Sequence, residues 1–327
     1  RMIYTWQKEQ WRQINQQREQ NRLPHAMVFT GPAGTGKKDF ALALAQSMLC
    51  KTPGDNGIAC GHCDSCHLFN AGTHPDLKHL QPTPPDNSRS ANPVLSIKID
   101  ALRELYRALN ETSQFGGYRV ALIEDADKMP VNAANSLLKT LEEPGQDTLL
   151  VLVSSHPHRL PVTIRSRCQS VRFAVPAESV AMAWLQQEKV ANAETALKLA
   201  HGAPLLARAY SEEQQEHRTT LLQALSAGMK GEPSFLYAEK LAQMPKEPLL
   251  RWLQDWASDI GRLLALGEAA NLVNEDQRKL LETRAKSVDN RKLYQFIDEI
   301  TRLQRAEGIA LNQQLLWENL LISWDNV

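Results

Sequence analysis

Short apolar runs alternate with amphipathic segments in the first half of the chain. Ala26–Thr30, Arg119–Ile123, Thr148–Val153 and the shorter Val171–Phe173 are mostly apolar, a pattern typical of strands that are buried on both faces of a sheet. The connecting segments are long enough to contain a helix and to return to the same edge of a sheet. The pattern therefore predicts an α/β fold with a parallel sheet.

Helices are predicted between these strands from apolar spacing and from capping residues. One runs from about residue 37 to residue 49. A second begins at Asp100, whose carboxylate is a suitable N-cap. A third begins at Asn132 and stops before Pro144. Residues 81–93 are rich in Pro, Asn and Ser, which predicts a loop.

After Pro176 the pattern becomes helical throughout. Two short helices are predicted at residues 177–188 and 193–201, the second ended by Gly202, and long amphipathic helices from about residue 211. Two apolar stripes at helical spacing are formed by Leu249, Leu253, Trp256, Ile260 and Leu263 and by Leu293, Phe296, Ile297, Ile300 and Leu303. Such stripes belong either to a core or to a subunit interface.

Composition indicates an ordinary soluble globular protein of two or three domains, 327 residues long. Lys and Arg together number 37, and Asp and Glu together also number 37, so the formal net charge is zero. The net charge therefore gives no argument for nucleic-acid or membrane binding. The sequence contains no run of about 18 apolar residues, so no transmembrane helix is predicted. The polar N-terminal segment lacks the apolar core of a signal peptide. These features favour a cytoplasmic protein.

A glycine-rich sequence follows the first predicted strand. Gly31, Gly36 and Lys37 fit the G-x-x-x-x-G-K part of a phosphate-binding loop, with a further glycine at Gly34. Glycines let backbone N–H groups curve round phosphate oxygens, the lysine meets the outer phosphates, and the following helix adds the positive end of its dipole. Two interpretations stay open, a loop that holds ATP and a loop retained only for the fold.

Two positions near this loop depart from a working ATPase site. The residue after Lys37 normally carries a hydroxyl that binds Mg²⁺, and here it is Lys38, whose ammonium cannot ligate a metal. The second apolar strand runs into Glu124 and Asp125, where a working site has Asp followed by Glu. Displacements of this size cost about 100-fold in rate. Efficient hydrolysis by this site is therefore not expected.

Four cysteines lie close together in the sequence, Cys50, Cys60, Cys63 and Cys66. In a chain without a secretion signal, clustered thiols predict metal ligands before disulfides. The set matches a tetrahedral Cys₄ zinc site, which has no open position and is therefore structural. The alternatives are unmetallated thiols and an iron–sulfur cluster. The iron–sulfur alternative is disfavoured because the proline that normally follows the last cysteine of such a motif is missing here. Cys168 stands apart and is expected to be a small packed residue.

Several stretches together resemble one protein family. Leu137–Pro144 is similar to the signature helix of bacterial clamp-loader AAA+ subunits, and Ser154–Arg165 to their sensor-1 strand and loop. Ser166, Arg167 and Cys168 match their Ser-Arg-Cys motif, and the cysteine cluster matches their zinc module. These specific motifs extend the resemblance over about residues 24–175.

Departures from the ATP-hydrolysing members narrow the resemblance. The gamma and tau subunits of this family carry Lys-Thr or Lys-Ser in the loop, Asp-Glu after the second strand, and a sensor-2 arginine. This chain has Lys38, Glu124 and, at the place of that arginine, Leu205. It is therefore most similar to the delta-prime family of DNA polymerase III clamp-loader subunits.

The resemblance implies an architecture and a role. It implies a RecA-like AAA+ module at 1–165 with a zinc-binding insertion at about 50–76, a helical lid at 166–208, and a helical collar domain at 209–327 whose stripes face partner subunits. Arg167 is implied to act in trans as an arginine finger at a neighbour's ATP site. The implied partners are gamma/tau and delta in a five-subunit ring, with the sliding clamp and primer-template DNA reached through the assembly.

Two other functions stay open at the level of sequence. The intact glycines are compatible with a self-sufficient clamp-loader ATPase, in which Lys37 binds phosphate and Glu124 binds metal. The segment Cys60–Cys66 is compatible with a zinc-dependent regulator that binds nucleic acid, although no basic, aromatic-rich surface accompanies it. Hydrolysis by the isolated chain would favour the first function, and salt-dependent DNA binding by the isolated chain the second.

Overall fold

The computed structural model describes residues 3–86, 92–210, 212–306 and 312–327. They form two compact units, the first made of Arg1–Pro84 and Leu95–Val180 and the second of Pro85–Val94 and Ala181–Val327. Within the described ranges, every helix is too short or too polar to span a bilayer.

The first unit contains the strands and the first helices, and the second unit is helical. The strands are β1 Ala26–Thr30, β2 Leu77–Leu80, β3 Arg119–Ile123, β4 Thr148–Ser154 and β5 Gln169–Arg172. The helices before the unit boundary are α1 Lys8–Glu19, α2 Lys37–Leu49, α3 Asp64–Asn70, α4 Ile99–Asn110, α5 Val131–Glu142 and α6 Val162–Arg165. The next helix, α7 Glu178–Gln187, begins in the first unit and ends in the second. The remaining helices are α8 Ala193–Leu199, α9 Pro204–Arg208, α10 Glu212–Ala227, α11 Ala238–Ala242, α12 Lys246–Leu266, α13 Arg278–Ala285, α14 Asn290–Arg305 and α15 Gln313–Asp325.

A five-stranded sheet with the order β2-β3-β4-β1-β5 forms the centre of the first unit. Each neighbouring pair in this order is parallel. β3 and β4 are buried at every position, which explains why the interiors of both strands are continuously apolar rather than alternating. The predicted α/β class, with a parallel sheet followed by a helical C-terminal region, is confirmed.

Alternate side chains of the central strands pack on opposite faces of this sheet. On one face Phe29 and Val151 belong to a core with Phe40 of α2. On the other face Val28 belongs to a second core with Leu137 of α5. Because both faces are covered by helices, the end of β1 and the start of α2 are held rigidly, which positions the phosphate loop between them.

Two peripheral elements, α1 and β2, are among those of the first unit that the sequence pattern does not predict. α1 is mostly polar and buries only Trp11 and Ile14. β2 is a four-residue edge strand that has no fully buried residue. Elements at the periphery need few apolar contacts, so their periodicity is weak. In the predicted loop at 81–93, residues 87–91 lie outside the described residues.

The two predicted N-caps, Asp100 and Asn132, are each wrong by two positions. α4 begins at Ile99 with Lys98 as its N-cap, so Asp100 lies in the first turn, where its charge still interacts favourably with the helix dipole. α5 begins at Val131 after Pro130 rather than after Asn132. In both cases the chain enters the helix earlier than the capping residue suggests.

Both predicted apolar stripes of the second unit lie in its interior. Leu249, Leu253, Trp256, Ile260 and Leu263 of α12 are buried together with Leu293, Phe296 and Ile300 of α14. Ile297 and Leu303 are partly buried against the same core. The expectation that these stripes face partner subunits is therefore wrong, because the helical unit needs them to close its own core.

Candidate functional site

The phosphate loop between β1 and α2 has a backbone that requires its glycines. Gly31, Gly34 and Gly36 have φ angles of 141°, 77° and 84°, which residues with a side chain rarely adopt. A Cβ at Gly31 would collide with the carbonyl oxygen of Phe173, and one at Gly36 with the side-chain amide of Gln7. Gly31 and Gly36 are thus needed by the packing of this chain itself, independently of any ligand.

Lys37 is folded back onto this loop. Its Nζ donates to the carbonyl oxygens of Gly31 at 2.8 Å and Pro32 at 2.7 Å and to Ser155 Oγ at 3.3 Å. Burial lowers the pKa of Lys37 to about 8, although the charges of Asp125 and Asp127 oppose this shift. Since an ammonium has three protons to donate, a phosphate has to displace internal contacts to bind it.

Lys38 forms an ion pair with Glu124, at the end of β3. Its Nζ lies 2.9 Å from Glu124 Oε2, while Glu124 Oε1 accepts hydrogen bonds from His79 at 2.5 Å and Gln81 at 3.2 Å. Burial opposes ionisation of Glu124, but the hydrogen bonds from His79 and Lys38 outweigh it, so the pKa of Glu124 lies below its ordinary value. The carboxylate expected to face a metal ion is therefore charged and already paired.

The two aspartates that follow also have partners on this chain. Asp125, with a left-handed φ of 44°, lies 3.3 Å from the ammonium of Lys128. Asp127 accepts from Ser154 Oγ at 2.5 Å and lies 3.5 Å from His156 Nδ1. Burial opposes the ionisation of Asp127, yet its contacts with His156 and Ser154 keep its pKa below the ordinary value. These carboxylates are held by structural contacts rather than directed at a reacting water.

An N-terminal segment that sequence reasoning missed packs on the phosphate loop. Trp6 Nε1 and Gln7 Nε2 donate to the carbonyl oxygen of Thr35 at 3.0 and 2.9 Å. The Tyr4 hydroxyl donates to Asp39 at 3.0 Å, and the Tyr4 ring stacks on Trp6 with centroids 4.8 Å apart. No local pattern signals these contacts, because they join a polar segment to a loop far along the chain.

Arg167 lies in the turn between α6 and β5. Its guanidinium donates to the carbonyl oxygen of Thr163 at 3.0 Å and to Glu142 Oε1 at 2.6 Å. Its motif neighbour Cys168 is buried in the core beneath, as predicted, and burial raises the pKa of this thiol to about 11. The buried cysteine thus fixes the backbone from which the exposed arginine projects.

The structure does not bring Arg167 to the loop lysines. Arg167 precedes the amino end of β5, which pairs in parallel with β1, whereas the phosphate loop follows the carboxyl end of β1. Leu205 lies in the first turn of α9, which begins with Pro204, a favourable first residue for a helix. An apolar side chain at this position cannot bind a phosphate oxygen.

The four clustered cysteines meet at the C-terminal end of α2. Their sulfur atoms all lie within 4.8 Å of one another, and the pairs Cys50–Cys63 and Cys60–Cys66 are 4.0 Å apart. Tetrahedral metal–sulfur bonds of about 2.3 Å place sulfur atoms roughly 3.8 Å apart, so the cluster fits one metal ion. Cys50 and Cys66 are buried and the other two are half-buried.

A hydrogen-bonded chain supports this cluster. Ser65 Oγ donates to the carbonyl oxygen of Leu49 at 2.5 Å and contacts His74 Nε2 at 2.9 Å. His74 Nδ1 accepts from the backbone N–H of Asp76 at 3.1 Å, which leaves Nε2 as the protonated nitrogen that donates to Ser65. His74 is therefore a supporting residue and not one of the candidate metal ligands.

Two family models match most of the chain. The model for DNA polymerase III, delta subunit, matches residues 6–177, and the model for DNA polymerase III, delta subunit, C terminal, matches residues 212–326.

Curated relatives extend over the full length of the chain. It is 34% identical to DNA polymerase III subunit delta' of Pseudomonas aeruginosa, over 98% of this chain and 97% of that protein. It is 31% identical to DNA polymerase III subunit delta' of Escherichia coli, over 98% of this chain and 94% of that protein. DNA polymerase III subunit tau of Escherichia coli is also 31% identical, but over 63% of this chain and 30% of that protein.

Proposed function

This chain belongs to the delta-prime family of DNA polymerase III subunits, and we propose that it donates Arg167 to a neighbouring subunit's ATP site. Its function is that of a clamp-loader subunit in DNA replication. Within the loader, the chain acts as a scaffold and as an arginine donor for ATP-driven loading of the sliding clamp onto primed DNA, rather than as a motor of its own.

The position of Arg167 in the sheet is the observation that supports this role. β5 pairs with β1 in parallel, with Met27 opposite Gln169 and Thr30 opposite Arg172. Arg167 therefore precedes the amino end of β5, whereas the phosphate loop leaves the carboxyl end of β1. At about 3.3 Å per residue, the two lie roughly 20 Å apart along the strand direction. Since Arg167 cannot reach its own loop, any nucleotide phosphate that it contacts is bound outside that loop, as at the ATP site of a neighbouring subunit.

The chemistry of a guanidinium suits that contact. The transferred phosphoryl group spreads negative charge over its equatorial oxygens, and an arginine supplied from a neighbour accelerates such reactions by about 10³ to 10⁵. The planar fork of donors also matches the geometry of phosphate oxygens better than a lysine does. The side chain of Arg167 is 37% exposed, so a partner subunit can approach it.

The chain's own phosphate loop is not expected to hydrolyse ATP. Lys37 is bound to loop carbonyls, Lys38 is bound to Glu124, and Asp127 is held by neighbouring side chains. A reaction there would require all three contacts to rearrange. This arrangement supports a scaffold in which the loop stabilises the fold, whether or not ATP occupies it.

We propose zinc as the metal of the cysteine cluster. Four sulfur atoms within 4.8 Å of one another suit a single tetrahedral ion better than a cluster of several iron atoms. Zinc prefers four thiolates in this geometry. The ion would be held by Cys50, Cys60, Cys63 and Cys66 and would supply no catalysis. It would fix the end of α2 to the loop that carries the other three ligands.

The proposed partners are the gamma/tau and delta subunits in a five-subunit ring, with the sliding clamp and primer-template DNA bound by the assembly in the cytoplasm.

The proposed domains of the chain are a RecA-like module at 1–165, a lid at 166–208 and a collar at 209–327. Residues 178–211, which neither family model matches, contain the short helices α7, α8 and α9, and this supports a separate lid.

ATP hydrolysis by the purified chain, alone and mixed with gamma/tau and delta on primed DNA, tests the proposal. We expect no turnover by the chain alone and DNA-stimulated turnover by the mixture. Arg167→Ala is expected to abolish the share of turnover that comes from the adjacent site without preventing assembly. Arg165→Ala, which removes an exposed arginine two residues away, is the matched control and is expected to behave as wild type.

Other results would favour the rival functions. Robust Mg²⁺-dependent turnover by the chain alone, lost in Lys37→Ala, would identify a self-sufficient ATPase. Unchanged ATP hydrolysis by the mixture that contains the Arg167→Ala variant would contradict the proposed arginine-donor role. Salt-dependent binding of DNA by the isolated chain would favour the zinc-dependent regulator.

A further inference from the structure

The residue after the phosphate-loop lysine controls whether a divalent cation can bind at such a loop. Phosphate-loop proteins use a Ser or Thr hydroxyl at this place, with a carboxylate from a neighbouring strand, to hold Mg²⁺. Here the place is taken by Lys38, whose Nζ lies 2.9 Å from Glu124 Oε2. The residues present therefore do not fit the Mg²⁺ that the fold family implies.

We propose that the Lys38 ammonium takes the place of the divalent cation, so that this phosphate loop excludes Mg²⁺ with any nucleotide that enters it. The proposal goes beyond the arginine-donor function, because it concerns the chain's own loop. It assigns to Lys38 a specificity role that is separate from the phosphate contact expected of Lys37.

The surroundings of Glu124 support this assignment. Its carboxylate is 10% exposed, and both oxygens are used, Oε2 by Lys38 and Oε1 by His79 and Gln81. Mg²⁺ requires oxygen ligands at about 2.0–2.1 Å in near-octahedral geometry. An ion at Glu124 would have to expel an ammonium that stays tethered beside it, while His79 and Gln81 hold the carboxylate towards β2.

The neighbouring acids do not offer another metal position. Asp125 is paired with Lys128, and Asp127 has a side chain only 2% exposed, bonded to Ser154 and close to His156. A divalent cation between these groups would also be repelled by the ammonium groups of both loop lysines. Each acidic side chain at the end of β3 is thus already engaged by partners on the chain itself.

Mn²⁺ binding to the full-length protein, measured by electron paramagnetic resonance in the presence of ADP, tests this assignment. Wild type is expected to leave the Mn²⁺ free. Lys38→Thr removes the ammonium and restores the hydroxyl, and it is expected to raise Mn²⁺ affinity by about 10- to 100-fold, the range seen when groups around a metal site are changed. Adding Glu124→Gln to this variant is expected to abolish the gain, which locates the ion at Glu124.

Two results would overturn the assignment. Wild type that binds Mn²⁺ as tightly as Lys38→Thr would show that the ammonium does not exclude the ion. A folded Lys38→Thr protein without any gain would show that Lys38 is not the residue responsible. Lys38→Ser, which supplies the same hydroxyl on a smaller side chain, replaces Lys38→Thr if circular dichroism reveals loss of helix. ATP hydrolysis by the loader does not enter this measurement, so the arginine-donor function stands or falls separately.

Discussion

The Arg167 guanidinium donates a 2.6 Å hydrogen bond to Glu142 at the end of α5, so this chain itself holds the side chain proposed to act on a neighbour's ATP. The two side chains are 37% and 52% exposed. Exposed ion pairs contribute about 0–1 kcal/mol to stability. The contact therefore orients Arg167 in the isolated subunit and costs little to exchange for a phosphate.

Glu142→Gln is expected to change the free energy of unfolding by less than about 1 kcal/mol. Because the neighbour's phosphate no longer competes with Glu142, the loader should need up to about fivefold less ATP for half-maximal hydrolysis on primed DNA. Glu143→Gln, at the next exposed position, is the control. A large loss of turnover in Glu142→Gln alone would mean that Glu142 is required to aim Arg167.

Removal of one thiolate is expected to empty the metal site. Cys60→Ser should lower the zinc content from about one ion per chain to none, and it should lower the melting temperature, because metal binding contributes to folding free energy. Mass spectrometry of the native protein and thermal unfolding check both effects. Cys168→Ser, at the buried cysteine outside the cluster, should keep the metal. Iron absorbance in wild type would contradict the assignment to zinc.

The buried Asp76 carboxylate is expected to stabilise the turn before β3. It accepts hydrogen bonds from Ser113 Oγ at 3.0 Å and from the backbone N–H groups of Gln114 and Phe115 at 2.9 and 3.0 Å. Hydrogen bonds to a charged group contribute about 1.5–3 kcal/mol, so Asp76→Asn should destabilise this turn by about 2 kcal/mol. Hydrogen exchange at residues 113–117 measures the change.

The matched control for this variant is Asp100→Asn, since Asp100 is exposed and forms an ion pair with the exposed Arg103. It is expected to leave exchange at residues 113–117 unchanged. Equal protection in Asp76→Asn and wild type would show that the turn is held by other contacts.

The His201–Asp255 ion pair predicts a pH dependence in the second unit. His201 Nε2 lies 2.9 Å from Asp255 Oδ1, and this hydrogen bond raises the pKa of His201 although burial opposes it. The folded state then binds the proton more tightly than the unfolded state. The stabilisation is complete below the ordinary histidine pKa of about 6.5 and is lost as pH rises through the raised value.

Because the His201 side chain is 50% exposed, solvent screening limits this contribution to less than about 1 kcal/mol. The difference in unfolding free energy between wild type and His201→Gln should therefore shrink as pH rises from about 6 to about 8. Urea denaturation at several pH values measures it, with the exposed His158→Gln as control. A difference that grows with pH would contradict the direction of the pKa shift.

Much of the fold and part of the candidate site follow from local sequence. β1 and α2 have the predicted bounds because a mostly buried strand, a glycine turn and an apolar helix are each encoded within a few neighbouring residues. The same holds for the four cysteines, whose short spacing brings them to one end of α2. The resemblance to clamp-loader subunits rests on equally local motifs.

Contacts between distant segments are decided only by the tertiary structure. The strand order places β2 beside β3, which brings His79 to Glu124, and the covering helix α2 brings Lys38 to the same carboxylate. The parallel register of β1 and β5 puts Arg167 at the far end of the sheet from Lys37. Periodicity reports which face of an element is apolar, but it does not report which other element covers that face. For this reason the stripes of α12 and α14 are compatible from sequence with either a core or an interface, and packing within the helical unit places them in the core.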